Sequence, residues 1–191
     1  MRKKNFVKEI ITSFSSKKTA LKYFKTEKEN AIKFILMFVI VFVLLNIITI
    51  IVPLKFFEKP IADTTLKYIQ LKGIEGSVNF SEPITITTNT GLTIIVSYLC
   101  TGLLELFVLW ASIISSKGIS WKNRTIGIIF AFVGTMIFNF IRIFTTIEFI
   151  LNKNLKIVEF VHDILFRITL LIVIVGLYAV WFWWATNKQK Q

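Results

Sequence analysis

The stretch from Ala31 to Val52, AIKFILMFVIVFVLLNIITIIV, decides the class of fold, because Lys33 is its only charged residue. An α-helix needs about 20 predominantly apolar residues to cross the hydrocarbon core of a bilayer. This run is long enough to do so. It is too long for the core of a signal peptide, and no small-residue cleavage site follows it. The stretch therefore predicts a retained membrane anchor, which Pro53 ends.

The rest of the chain is also rich in apolar residues. Of its 191 residues, 54% are hydrophobic and 19 are phenylalanine, whereas soluble domains contain about 45–50% apolar residues with periodic polar faces. Three further apolar runs lie at about 92–114, 125–144 and 164–185. We predict an all-α, polytopic membrane bundle of about four transmembrane helices in one domain, residues 31–185, between a basic N-terminal tail (1–30) and a short C-terminal tail (186–191).

A polar segment, residues 53–91, separates the first two runs. Its first part, PIADTTLKYIQLKG at 60–73, predicts a short amphipathic helix. Its second part, GSVNFSEPITITTNTG at 76–91, alternates apolar and polar residues and predicts strands or an extended loop, interrupted at Pro83.

The distribution of charge predicts the orientation. The N-terminal tail, the 115–124 loop and the C-terminal tail hold 14 of the 23 basic residues, whereas the 53–91 segment balances four lysines with four acids. Cytoplasmic loops carry the excess of lysine and arginine. We therefore expect a multi-pass protein of the cell (plasma) membrane with both termini cytoplasmic and residues 53–91 and 145–163 outside. The net charge of +12 then indicates membrane topology rather than nucleic-acid binding.

Cysteine and histidine counts exclude several kinds of site. The chain has one cysteine and one histidine. An intrachain disulfide framework, a cysteine-based metal site and a multi-histidine metal cluster are all excluded. No metal or cofactor is predicted.

Three polar residues of reactive types fall at one depth of the predicted bundle. The second run enters from outside and carries Cys100 in its outer third, and the third run ends outside at Arg142. His162 stands at the outer entrance of the fourth run. Three separate segments thus deliver a thiol, a guanidinium and an imidazole to the same leaflet, where the predicted site faces outward.

These groups suit attack on a carbonyl by a thiolate. Apolar surroundings disfavour the thiolate form, whereas a cation or a helix N-terminus favours it. Arg142 is the predicted cation that stabilises the thiolate or the oxyanion. His162 is the predicted carrier of protons to the leaving amine and from the incoming nucleophile. Thr101 and Gly102, directly after Cys100, allow close backbone approach and predict the beginning of a helix.

Two further residues are supporting candidates. Asn139 lies one helical turn before Arg142 on the same face, so it is placed to orient the guanidinium. Asp163 follows His162 directly and can hydrogen-bond nearby. Because adjacent residues on a helix point apart, Asp163 is not counted as a member of the catalytic set.

A structural explanation stays open for each of these residues. A lone cysteine in a membrane helix is most often a small packing residue. An arginine near a helix end often snorkels to the interface, and a histidine at a helix start is usually satisfied there. Asn139 equally suits a helix-packing hydrogen bond. For Glu105 we favour a structural role: a pair with Arg142, a pair with Arg167 and a protonated packing acid all stay open.

Three short motifs in this order carry a family resemblance. CTG at 100–102, NFIR at 139–142 and HD at 162–163 resemble the exosortase/archaeosortase superfamily of membrane cysteine transpeptidases. The resemblance covers residues 92 to about 185. It implies that Cys100 is the nucleophile and that Arg142 and His162 are its partners.

The resemblance also implies a class of substrate. Members of this family recognise a C-terminal sorting signal made of a short motif, a transmembrane helix and a basic cluster on exported proteins. They cleave near the motif and transfer the new carboxyl end to a lipid or surface acceptor. This chain is shorter than the larger members, which have more spans. His162, where archaeal members sometimes have arginine, matches the bacterial type.

Two other classes of function compete with this one. In the first, the chain is a non-enzymatic small membrane protein, such as a lipid-binding or assembly subunit, in which Cys100 only packs. In the second, it is a carrier with Arg142 in an anion path, although no inverted repeat is visible in the sequence.

Overall fold

The computed structural model describes residues 2–151 and 166–188. Its elements occur in the following order: α1 (Arg2–Ile51), α2 (Lys55–Leu71), β1 (Gly76–Asn79), β2 (Ile84–Thr88), β3 (Thr93–Val96), a 3₁₀ turn (Tyr98–Cys100), α3 (Leu103–Ser115), α4 (Trp121–Leu151) and α5 (Phe166–Lys188). The basic N-terminal tail is helical from Arg2 and continues directly into the first apolar run.

Three of the described helices are long and apolar enough to cross a membrane: Lys28–Ile51, Trp121–Leu151 and Leu170–Lys188. They overlap the first, third and fourth apolar runs of the sequence, although the helix over the third run continues to Leu151, into the connection predicted at 145–163. The prediction of a helical membrane protein is confirmed at this level.

The second run does not form the predicted span at 92–114. Residues 93–96 are strand β3, and the helix that follows, α3, has 13 residues. At about 1.5 Å per residue such a helix covers about 20 Å, short of the roughly 30 Å hydrocarbon core. The four β-branched residues of β3, TIIV, favour a pleated strand over a helix. Hydropathy alone does not distinguish an apolar strand from the start of a span.

The prediction of an all-α fold is wrong for the segment between α1 and α3. Strands β1, β2 and β3 form an antiparallel sheet in that order. The side chains of Ile84 and Ile86 on β2 are buried, together with Ile61 and Ile69 of α2 and Ile147 of α4. The predicted amphipathic helix and the alternating segment thus fold together, because each supplies one apolar face to a shared core.

Helix α3 lies against α1, α4 and α5. At its C-terminal end it is hydrogen-bonded by the side chain of Arg124. The guanidinium donates hydrogen bonds to the carbonyls of Ile114 (2.9 Å), Ser116 (2.6 Å) and Ile119 (3.2 Å). A cation at this position satisfies carbonyls that the helix end leaves free and complements the helix dipole. These three bonds tie the tight loop between α3 and α4 to the first turn of α4.

Contacts across the bundle bring the basic segments to one end. The Lys117 ammonium donates to Asn30 Oδ1 at 3.3 Å, and the Trp181 indole donates to the Asn123 carbonyl at 3.0 Å. The start of the apolar part of α1, the α3–α4 loop and the last turns of α5 therefore share an end. Residues Tyr98–Cys100, α2 and the sheet lie at the opposite end.

At that opposite end, side-chain contacts bind α2 to α4. Tyr68 donates to the Glu148 carboxylate at 2.5 Å, Lys72 forms an ion pair with it, and the Tyr68 ring stacks on Phe144. Hydrogen bonding to the Glu148 carboxylate raises the pKa of both Tyr68 and Lys72. These contacts hold α2 and the sheet against the part of α4 that carries Arg142.

Candidate functional site

The turn that carries Cys100 is built by its own residues. The Thr101 hydroxyl donates to the Tyr98 carbonyl at 2.6 Å and accepts from the Leu103 amide at 3.3 Å. Gly102 follows with φ +74°, the left-handed conformation that glycine adopts without strain, and α3 begins at Leu103. The prediction that Thr101 and Gly102 mark a helix start is confirmed.

Cys100 is half-buried at the end of this turn. Its Sγ lies 3.7 Å from the Ser97 hydroxyl, and the side chain packs against the core between α2, the sheet and α4. The thiol is free. Because α3 starts three residues later, the positive end of its dipole lies beside the turn.

Two side chains of α4 hold the carbonyls of this turn. Asn139 Nδ2 donates to the Cys100 carbonyl at 2.8 Å, and Arg142 Nη2 donates to the Leu99 carbonyl at 2.9 Å. Residues three apart share a helix face, which allows both to reach the same turn. The structure thus brings together five predicted site residues: Cys100, Thr101, Gly102, Asn139 and Arg142. Asn139 was expected to orient the guanidinium; its amide binds the cysteine's own carbonyl instead.

Glu105 belongs to the same set of contacts, and of the alternatives that the sequence left open for it, pairing with Arg142 is confirmed. Its carboxylate lies 3.4 Å from Arg142 Nη1, and the two side chains are 13% and 16% exposed. The signal available in the sequence was an acid within an otherwise apolar run, which is costly without a partner. Glu105 orients the guanidinium and offsets part of its charge.

A cavity of about 10 Å³ lies behind the turn, with room for about one water molecule. It is bounded by Gly102, Glu105, Thr135, Phe138, Asn139, Leu170, Val173 and Ile174. Thr135 Oγ1 and Asn139 Oδ1 are buried and have no hydrogen-bond partner in the described part of the chain.

Tyr98 lies in the same turn as Cys100. Burial and, to a lesser degree, the charge of Glu105 raise the pKa of the Tyr98 phenol. The phenol therefore stays protonated at neutral pH and is no base for the thiol.

His162 and Asp163 lie outside the described residues, so their predicted roles stay predictions. Within residues 2–151 and 166–188, no group of three or more histidine, cysteine, aspartate or glutamate side chains is placed to hold a metal ion. Comparison of the chain with protein-family models, with curated proteins and with solved structures finds no match.

Gly102 offers a test of how closely the turn and α4 fit. A Cβ at this position would lie 3.1 Å from Asn139 Cγ, whereas Gly118 has the same φ of +74° with nothing within 4 Å. Both Gly102→Ala and Gly118→Ala should lower the free energy of unfolding by about 1–2 kcal/mol, because alanine is strained in the left-handed conformation. Gly102→Ala should lose about 1 kcal/mol more, since Asn139 must move and release the Cys100 carbonyl.

The comparison is made by thermal unfolding of the two variants in the same detergent. Equal destabilisation of Gly102→Ala and Gly118→Ala would show that Asn139 does not need its present position.

Proposed function

We propose that the protein is a membrane-embedded cysteine transpeptidase or endopeptidase. The observation that carries the proposal is the pair of hydrogen bonds by which Asn139 and Arg142 hold the Cys100 and Leu99 carbonyls. These bonds tie the segment of α4 that carries Asn139 and Arg142 to the backbone of the turn that ends at Cys100, which supports Arg142 as the cation that acts on the thiol.

The chemistry proceeds by nucleophilic catalysis. The Cys100 thiol first passes its proton to His162, and the thiolate then attacks the substrate carbonyl carbon, so that an S–C bond forms and the oxygen becomes an oxyanion. Arg142 and the N-terminal end of α3 favour both negative charges, first on sulfur and then on oxygen. The C–N bond then breaks, and the leaving amine takes a proton that we assign to His162.

The thioester left on Cys100 is resolved in a second step. An incoming amine gives a new amide, and water gives the free acid; in either case the nucleophile's proton goes to His162 and the thiolate is regenerated. Glu105 holds Arg142 in place through both steps. No cofactor enters this sequence.

The substrate class follows from the resemblance to the exosortase/archaeosortase superfamily. We propose that the substrates are exported proteins whose C-terminus carries a short motif, a transmembrane helix and a basic tail. Membrane lipids surround the site and are candidate acceptors.

The proposed orientation puts the site outside the cell. The end of the bundle that holds Asn30 and Lys117 carries the basic segments and would face the cytoplasm, so the Cys100 turn would face outward. Single cysteines at Leu71, which is 84% exposed, and at exposed Lys122 are introduced into a Cys100→Ala chain. We expect an impermeant maleimide to label position 71 in intact cells and position 122 only after lysis. The reverse pattern would put the site in the cytoplasm.

The proposed thioester supplies the direct test of function. Membranes from cells that produce the protein are quenched in acid, and the peptide containing Cys100 is analysed by mass spectrometry. We expect a covalent polypeptide adduct on Cys100 that neutral hydroxylamine releases and that is missing from the Cys100→Ala chain. If hydroxylamine leaves the adduct intact, or if the adduct sits on another residue, the acyl-enzyme mechanism is wrong.

A further inference from the structure

Strand β3 is an edge strand that leads directly to Cys100. It pairs with β2 on one side and has no partner strand on the other among the described residues. Its side chains alternate, so that Val96 is buried whereas Thr93 and Ile95 are exposed. The strand therefore has one free edge and one open face.

The backbone groups on that free edge can be identified from the register. Thr88 N donates to the Leu92 carbonyl at 3.0 Å, and hydrogen-bonded pairs alternate along an antiparallel ladder. Ile94 and Val96, whose partners are Ile86 and Ile84, are accordingly the residues bonded to β2. The N–H and C=O groups of Thr93 and Ile95 point to the free edge.

This edge lacks the features that proteins use to prevent strand addition. Exposed edges are usually protected by charged residues, proline or a bulge, and the sequence of β3, TIIV, has none of these. Ile95 is 59% exposed on the open face, where it adds apolar contact to any strand that pairs here. Among the described residues, no hydrogen bond satisfies the outward groups of Thr93 and Ile95.

The chain also runs directly from this edge strand to the thiol. Ser97, the residue after β3, is extended with φ −111° and ψ 167°, and its hydroxyl lies 3.7 Å from Cys100 Sγ. Cys100 follows Val96 by four residues, so a strand added along β3 and continued past Val96 would run beside the segment that ends at the thiol.

From these observations, and resting on the proposed function, we propose that the free edge of β3 binds the substrate as an added antiparallel or parallel strand. The occupant is an unfolded, extended peptide segment next to the scissile bond. Its backbone bonds to Thr93 and Ile95 supply affinity that is largely independent of sequence, and they align the carbonyl with Cys100.

The test separates strand binding from reactivity of the thiol. Two probes alkylate Cys100: iodoacetamide, which has no peptide backbone, and an acetylated peptide of four alternating valines and threonines that ends in a vinyl sulfone. The thiolate adds to the vinyl carbon, and the adjacent carbon takes a proton. Second-order rate constants are measured for the purified full-length protein in detergent.

We expect the peptide to react with the wild-type chain at least tenfold faster than its dipeptide analogue. Thr93→Pro removes one outward N–H at the first position of an edge strand, where proline is tolerated. This change should slow the peptide about fivefold, the equivalent of one net hydrogen bond, and leave the iodoacetamide rate unchanged. The matched variant Thr93→Val retains the N–H and should react like wild type.

N-methylation of the peptide gives a readout that does not depend on any variant. Methyl groups on amides that face β3 should slow the reaction, and methyl groups on the alternate amides should not, because strand pairing has a period of two. A changed iodoacetamide rate would reveal that Thr93→Pro alters the fold. In that case the N-methylated peptides still test strand binding, because they are measured on the wild-type chain.

The outcomes distinguish the two proposals. If iodoacetamide does not label Cys100 in the wild-type chain, the proposed function is wrong, and strand binding of a substrate falls with it. If iodoacetamide reacts but peptide length and alternate N-methylation have no effect, only the strand proposal is wrong. If Thr93→Pro converts a dimer to a monomer without changing the peptide rate, the edge binds a second copy of the chain instead.

Discussion

We expect Cys100→Ala to abolish substrate processing, with a loss of more than about 1,000-fold, and to leave the amount of folded protein in the membrane nearly unchanged. The large effect follows because the substitution removes the only atom that can form the thioester. The small effect on folding follows because the side chain is half-buried and loses one sulfur atom, at a cost of about 1 kcal/mol. Processing is measured as conversion of a co-produced substrate, and folding by size-exclusion chromatography in detergent.

Two further substitutions make this result specific. Cys100→Ser should be nearly as inactive, since a hydroxyl is a far weaker nucleophile without a base matched to it. Ser97→Ala is the matched control: its hydroxyl lies 3.7 Å from Cys100 Sγ, yet it has no role in the chemistry and should retain activity. A cysteine that only packs predicts full processing in all three variants, and that result would remove Cys100 from the mechanism.

The second large effect is expected at Arg142. Arg142→Ala removes both the bond to the Leu99 carbonyl and the partner of Glu105, whose side chain is only 13% exposed. Breaking a buried ion pair by removing one partner costs about 3–5 kcal/mol, because the remaining charge stays uncompensated. We expect loss of activity together with a clearly lower unfolding temperature.

Arg142→Lys should be nearly as inactive, although it keeps the charge. A guanidinium donates in two directions from one rigid plane, to the Leu99 carbonyl and to Glu105, whereas an ammonium is a single point of charge. Full activity of the lysine variant would reduce the role of Arg142 to its charge.

A double variant separates the structural and chemical roles of Arg142. In Arg142→Ala with Glu105→Gln, no unpaired carboxylate remains, so most of the lost stability should return. Activity should not return, because the guanidinium that we propose to stabilise the thiolate and the oxyanion is still missing. Recovery of both stability and activity would make the ion pair purely structural.

Parts of the architecture follow from the sequence because they depend on local composition. The run from Ala31 to Val52 specifies a spanning helix by its length and its single charged residue, Lys33. The strands in GSVNFSEPITITTNTG are readable from their alternation, and the helix start after Cys100 is readable from Thr101 and Gly102. Each of these signals lies within a few residues of the feature that it predicts.

Other parts required the tertiary structure, because they depend on which segments meet. The run at 92–114 has the hydropathy of a span, but TIIV at its start becomes β3 once ITITT supplies a partner strand and α2 supplies a core. Residue types at 100, 139 and 142 suggested a site, but the sequence could not show that Asn139 binds the Cys100 carbonyl. It also could not show that Glu105 pairs with Arg142. Those bonds join positions about 40 residues apart, and only the packing of α3 against α4 brings their atoms within hydrogen-bonding distance.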